Sequence, residues 1–200
     1  MTIRFVVTEH PPALTVPLVR RYERIRSRLE RIAGSPVELT RYTELELDGA
    51  DAVVLSGSYA PWADHSADAL DRLGGAIRAY GGPVLGICAG MQLQAMFAGG
   101  TVRHSPGGLE TGFSSVEVVE HDGLLRGLPS RFDVYSHHGD EIEELPECFR
   151  ILARGTTCAI QAIADPERRW WGTQFHPEEF DAGHPAGELV LRNFFGLARG

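Results

Sequence analysis

One turn constrains this chain more than any other. The apolar run Val84-Leu85-Gly86-Ile87 ends in Cys88 and passes at once into Ala89-Gly90-Met91-Gln92. Four apolar residues after the break Gly81-Gly82-Pro83 read as a buried strand. The stretch that follows, from about 89 to about 98, reads as a helix that closes at Gly99-Gly100. A strand that turns directly into a helix requires a close crossing of the two, and Gly86 and Gly90 permit it, because a Cβ at either place would crowd the contact. The side chain at the apex of such a turn stands at the top of a sheet, beside the unpaired N–H groups of the helix start.

The surrounding pattern supports that geometry. Residues 3 to 8 are apolar and β-branched and predict a buried first strand. Leu18, Tyr22, Ile25, Leu29 and Ile32 recur at helical spacing opposite a face rich in arginine, and Gly34 ends the helix. Residues 37 to 42 predict a strand, and Ala52-Val53-Val54-Leu55 predicts another that feeds the loop Ser56-Gly57-Ser58. A helix is expected over about 65–80, a strand over 169–175 and a closing helix over 189–197. Between 101 and 165 the sequence reads as short strands and turns punctuated by glycine. The expected fold class is α/β: a mostly parallel central sheet with helices on both faces, plus a small antiparallel β region. Residues 1–200 are expected to form one domain, a length that suits a single core.

Charge and composition exclude several functions. A formal net charge of -8 argues against a general nucleic-acid binder, which needs a basic surface. All 19 basic residues are arginine, which removes Schiff-base chemistry and lysine-dependent phosphate loops. No apolar run has the length of a membrane span. Three cysteines without a secretory leader suggest reduced thiols and a cytoplasmic location. They form no CxxC pair, so no structural metal is expected.

Cys88 is therefore the candidate nucleophile, and Cys148 and Cys158 read as ordinary, partly buried cysteines. A helix N-terminus favours thiolate over thiol, and the Ala89 N–H can point to where an oxyanion would form. A nucleophilic thiol needs a base. Of the 8 histidines, His176 stands just after a predicted strand, in Gln174-Phe175-His176-Pro177-Glu178. Pro177 biases His176 to an extended conformation, in which residues two apart face the same way, so Glu178 can orient the imidazole.

Together these segments resemble the triad-type, class I glutamine amidotransferases. Residues 86–92 match that family's G-I/V-C-x-G-x-Q elbow, and residues 174–178 match its Q-F-H-P-E. Tyr135-Ser136-His137-His138-Gly139-Asp140, followed by Leu145-Pro146, resembles its S-H-x-D segment, and Glu110-Thr111-Gly112 its E-x-G step. Met91 resembles the GMP synthetase branch, whereas Ala89 stands where that branch usually has tyrosine. The resemblance implies a flavodoxin-like fold and no cofactor. It implies glutamine hydrolysis through a Cys88 thioester, giving glutamate and ammonia for a separate synthetase. It also implies an oxyanion hole from Ala89 and the Gly57–Ser58 loop, and a glutamine pocket formed by Gln92 and by main-chain groups around His137, His138 and Gly139. An alternative with the same triad is a free-standing hydrolase of another γ-glutamyl amide or conjugate.

Serine at position 58 departs from the family's S-G-G-P loop. If the loop needs a left-handed residue there, Ser58 would cost about 1 kcal/mol or more, and a peptide flip could gate activity until a synthetase docks. His137, His138 and Asp140, and separately His176, Glu178 and His184, contain metal-ligand types, yet the resemblance accounts for both groups without a metal. The arginine face of residues 20 to 31 reads as a solvated helix face offset by Glu23 and Glu30.

Overall fold

A computed structural model describes all 200 residues. The first half of the chain alternates strand and helix: β1 (Ile3–Val7), α1 (Val16–Ala33), β2 (Val37–Arg41), β3 (Ala52–Leu55), α2 (Ala67–Tyr80), β4 (Val84–Ile87) and α3 (Ala89–Phe97). Seven strands follow: β5 (Thr101–His104), β6 (Glu110–Val118), β7 (Arg131–His138), β8 (Asp140–Glu144), β9 (Arg150–Arg154), β10 (Ala162–Asp165) and β11 (Trp170–Thr173). Helix α4 (Ala186–Arg199) closes the chain.

Nine strands form one sheet in the order β2-β1-β3-β4-β11-β10-β9-β6-β7. The pairings from β2 to β11 are all parallel. From β11 outward every pairing is antiparallel. The antiparallel region expected from the sequence is thus divided. Four of its strands extend the central sheet, and only β5 and β8 pair apart from it.

Strand alternation assigns the two faces. Ile3, Phe5 and Val7 join the core under α1 and α4, with Tyr22, Leu29, Phe194 and Phe195. Val6, Val53 and Leu55 join the core under α2 and α3, with Leu73, Ile77, Met91 and Leu93. Each fully buried side chain of this size stabilises by about 1.5–3 kcal/mol, so the two faces anchor the sheet from both sides. The chain leaves β1 toward β2 on one side and continues from β3 toward β4 on the other. Right-handed crossovers then place α1 and α2 on opposite faces and open a crevice at the carboxyl ends of β1 and β3. No helix is long and apolar enough to cross a membrane.

Helix α1 ends as its sequence predicts, with Gly34 left-handed at φ 59° and its N–H bonded to Glu30 O. The distal hairpin supplies a less local feature. Although β7 lies four strands beyond β11, the hairpin curls back over the sheet's carboxyl end. There Tyr135 O accepts a 2.7 Å bond from His176 N, and His137 O lies 3.9 Å from Cys88 Sγ.

Candidate active site

Cys88 sits between β4 and α3 with φ 52° and ψ -109°, one of two non-glycine residues of positive φ. Such a conformation costs of order 1–3 kcal/mol and persists only where the surroundings dictate it. Here they do. Cys88 N donates to Thr173 O on β11 at 2.7 Å, and Cys88 O accepts from Met91 N and Gln92 N. The two glycines act as expected. A Cβ on Gly86 would lie 2.5 Å from Gly90 C, and one on Gly90 would lie 2.5 Å from Leu55 O. The sulfur is therefore carried at the start of α3, in a residue only 4% exposed.

The other thiols have no such setting. Cys158 is buried, which pushes its pKa up to about 12. Cys148 is exposed rather than partly buried, because its chain segment 147–148 turns outward between β8 and β9.

His176 and Glu178 meet as the sequence suggests, by a different local route. His176 Nδ1 lies 2.8 Å from Glu178 Oε1, and both residues are buried. Yet residues Pro177–Glu179 form a 3-10 turn, so the segment is not extended. Proline at the first position of the turn starts it readily, because its missing N–H has no role there. The turn swings Glu178 back under the ring. Arg28 Nη1 of α1 donates to Glu178 O and also to Phe180 O, and Arg21 pairs with Glu179 at 2.8 Å. The arginine face is thus only partly a solvated one. Arg26 pairs with Glu23 and Glu30 as expected, whereas Arg21 and Arg28 hold the turn that carries Glu178.

Burial opposes a charged imidazole, but the adjoining Glu178 carboxylate and Cys88 outweigh it. His176 therefore keeps its proton well above the usual histidine range. Its Nε2 is buried with no hydrogen-bond partner in the chain, and Cys88 is among the groups that favour its proton. Gln174, buried one residue before Phe175, donates from Nε2 to Cys88 Sγ at 3.5 Å.

A cavity of about 320 Å³ opens at Cys88 and Ala89, bordered by Gln92, His137, Gly139 and the Ser58–Trp62 loop. Ala89 is the first residue of α3, where an N–H lacks an intrahelical partner. Gly57 is fixed by packing rather than by φ, since a Cβ there would lie 3.0 Å from His176 Cε1 and 3.5 Å from Cys88 Cβ. Ser58 is not left-handed, so the anticipated strain is absent from this conformation.

The expected pocket residues Gln92, His137, His138 and Gly139 all line the cavity. Gln92 Nε2 is committed to Asp140 O and Gln174 Oε1, while its Oε1 accepts from no group of the chain. His137 borders the cavity, with Nδ1 3.1 Å from Thr111 Oγ1 and its ring 5.3 Å from that of Tyr59. Gly139 lies at the rim and gives its carbonyl to Ser105 N. His138 also lines the cavity. On alternating β7 its imidazole falls on the buried face, 1% exposed and 3.3 Å from Glu110 Oε2, so its side chain is a structural partner of Glu110. The two groups with metal-ligand types do not converge: His184 pairs with Asp181 and stacks on Phe113 at 3.7 Å.

Three contributors escaped the sequence reading: Gln174, Arg28 and Glu9, a buried acid whose loop contacts are described below. Only the Q of Q-F-H-P-E could have been found, as part of a recognised segment.

The profile of the glutamine amidotransferase class-I family matches residues 22–197. A GMP synthase (glutamine-hydrolysing) subunit from Thermoplasma acidophilum is 38% identical over 155 residues, 76% of this chain and 74% of that protein. The corresponding protein of Methanothrix thermoacetophila is 37% identical over 163 residues, 80% of this chain and 84% of that protein. A crystal structure of a Thermoplasma acidophilum protein assigned to the same kind of GMP synthase subunit superposes with a TM-score of 0.81. It covers 98% of this chain and 94% of that one at 32% identity.

Proposed function

The chain belongs to the class-I glutamine amidotransferase family, and from that premise we propose that residues 1–200 form one glutaminase domain supplying ammonia to a separate GMP synthase-type synthetase chain. The observation that carries the reading is the meeting of Cys88, His176 and Glu178 at the carboxyl ends of β4 and β11, which are neighbouring parallel strands.

Cys88 Sγ attacks the glutamine side-chain amide carbon. The developing oxyanion is met by the Ala89 N–H and a donor of the Gly57–Ser58 loop. His176, protonated and held by Glu178, gives its proton to the leaving nitrogen, and ammonia departs. A water then loses a proton to His176 and attacks the thioester, releasing glutamate and the thiol. Gln92 Oε1, the His137 main chain and Gly139 are the groups placed to receive the substrate's polar ends. Gln174 Nε2 steadies the sulfur.

The relatives support the choice of partner. Those proteins are subunits of a glutamine-hydrolysing GMP synthase, and a glutaminase that wastes no glutamine must hand its ammonia to an acceptor. The test is glutamate release from glutamine and from a panel of γ-glutamyl conjugates, with and without the synthetase chain of a GMP synthase. Hydrolysis of glutamine with ammonia delivered to the synthetase supports the reading. Turnover of a conjugate alone, indifferent to the synthetase, assigns the chain to free-standing γ-glutamyl hydrolysis instead.

A further inference from the structure

Glu9 lies one residue beyond Thr8 at the end of β1 and is 1% exposed, yet no cation pairs with it. Burying a carboxylate is expensive unless hydrogen bonds replace its water, and Glu9 is richly supplied. It accepts from Tyr59 N at 2.7 Å, Ser58 Oγ at 2.9 Å, His10 N at 3.0 Å, Ala60 N at 3.1 Å and Tyr22 OH at 3.3 Å. Four donors thus converge on a group with about four lone-pair sites, and the single hydroxyl hydrogen of Tyr22 is shared between Glu9 and Gly57 O. Three of them come from consecutive residues of a single loop, about fifty residues away along the chain.

That loop borders the cavity at Cys88 and Ala89. Its preceding peptide is pinned as well. Gly57 O accepts from Ser56 Oγ at 2.7 Å and from Tyr22 OH at 3.0 Å. No peptide bond is cis, so the Ser58 N–H points opposite to the Gly57 carbonyl, away from Tyr22. It donates to no group of the chain. Ser58 Oγ lies between Glu9 Oε1 and His65 Nε2, the latter at 3.3 Å. A glycine at 58 could make neither contact.

We propose that Glu9 is a positioning residue that locks the Ser58–Ala60 loop so that the Ser58 N–H is presented to the cavity as the second oxyanion donor. The serine that departs from the family's loop is part of this lock. It exchanges a glycine's backbone freedom for a side-chain tether. The donor is then in place before a synthetase docks, which reverses the gating expected from the sequence. The inference rests on the glutaminase reading for its catalytic consequence, and the lock itself is independent of that reading.

The test is Glu9→Gln, which keeps the side chain's volume but sets an NH2 group against either the Tyr59 N–H or the Ser58 and Ala60 donors. Amide exchange at Tyr59 and Ala60 is expected to accelerate by about tenfold or more. Loss of an aligned oxyanion donor is expected to lower kcat on glutamine by about 10- to 100-fold, with KM within about threefold. Cys88 alkylation by iodoacetamide is expected to stay within about twofold, since His176 and Glu178 are untouched. Unchanged exchange overturns the lock. Faster exchange with unchanged kcat, or with the whole loss in KM, overturns its catalytic role. If the wild type is inert toward glutamine, the glutaminase reading fails while exchange still judges the lock, and the kcat comparison moves to the γ-glutamyl conjugate that is turned over. Should Glu9→Gln fail to fold, Tyr22→Phe removes the one hydroxyl donor that Glu9 and Gly57 O share and is read by the same measurements.

Discussion

Where β4 and β11 end, position is set by backbone and by close contact. Cys88 is held by main-chain bonds on both sides, and the two glycines around it admit no Cβ. Where β1 and β3 end, position is set by side chains: Glu9, Tyr22 and Ser58 tie a loop that no strand or helix defines. The first kind of site is stiff, and a substitution there clashes or removes a reacting atom. The second is adjustable, because each tether can be cut without moving the sheet. Thiol and proton carrier thus belong to the rigid half of the site, and the oxyanion loop to the adjustable half.

The largest effect is expected in the rigid half. Cys88→Ala should lower glutaminase activity by about four orders of magnitude or more, while Cys148→Ala and Cys158→Ala leave it essentially intact. A glutamine-like chloroketone, followed by peptide mapping, should label Cys88 alone; label on either other cysteine would dissolve the contrast.

An intermediate effect is expected at the carboxylate. Glu178→Gln should lower kcat by about 10²- to 10⁴-fold, less than His176→Ala, because the acid orients the ring and the ring moves the proton. It should also move a proton equilibrium. Since Glu178 raises the folded-state pKa of His176, the pair stabilises the fold fully below the unfolded value of about 6.5, and this is lost as pH rises through the raised value. The melting-temperature gap between wild type and Glu178→Gln should therefore be widest at acid pH and close on the alkaline side. NMR titration of the His176 Cε1–H should show a lower midpoint in the variant. An unmoved midpoint would mean that the contact does not govern the proton.

The smallest effect belongs to the adjustable half. Ser58→Gly cuts one tether and leaves the Tyr59 and Ala60 amides on Glu9, so kcat should fall by only about two- to fivefold, as for a single modest hydrogen bond. A rise in kcat would show that the serine restrains the donor instead of placing it.

What was legible in the sequence follows the same division. The elbow could be read because its geometry dictates glycine at 86 and 90, and a steric requirement leaves a residue type behind. The pairing of His176 with Glu178 was legible as a pair, but its route was not: Pro177 starts a tight turn, and Arg28 braces it from a helix about 150 residues earlier in the chain. Helix α1 and its Gly34 stop were readable from periodicity, since those signals are local. Glu9 was not, because one acid after a strand has the same appearance whether it is solvated or buried. The partner of the His138 imidazole was not legible either, as the alternation of β7 decides which of two adjacent histidines turns its ring to the buried face. The return of the distal hairpin over the catalytic end depends on accumulated sheet twist, which no single residue encodes.

That return also orders events in time. His176 takes its place by donating its amide to Tyr135 on β7, an edge strand that joins the sheet only through β6 and β9. The helices of the first hundred residues form from contacts close in sequence, whereas this bond needs β7 brought to the site through β6, β9 and β10. Distant pairings form slowly. Enzymatic competence is thus the last property a refolding chain acquires, and its recovery after dilution from denaturant reports completed assembly where helical signal reports only its beginning.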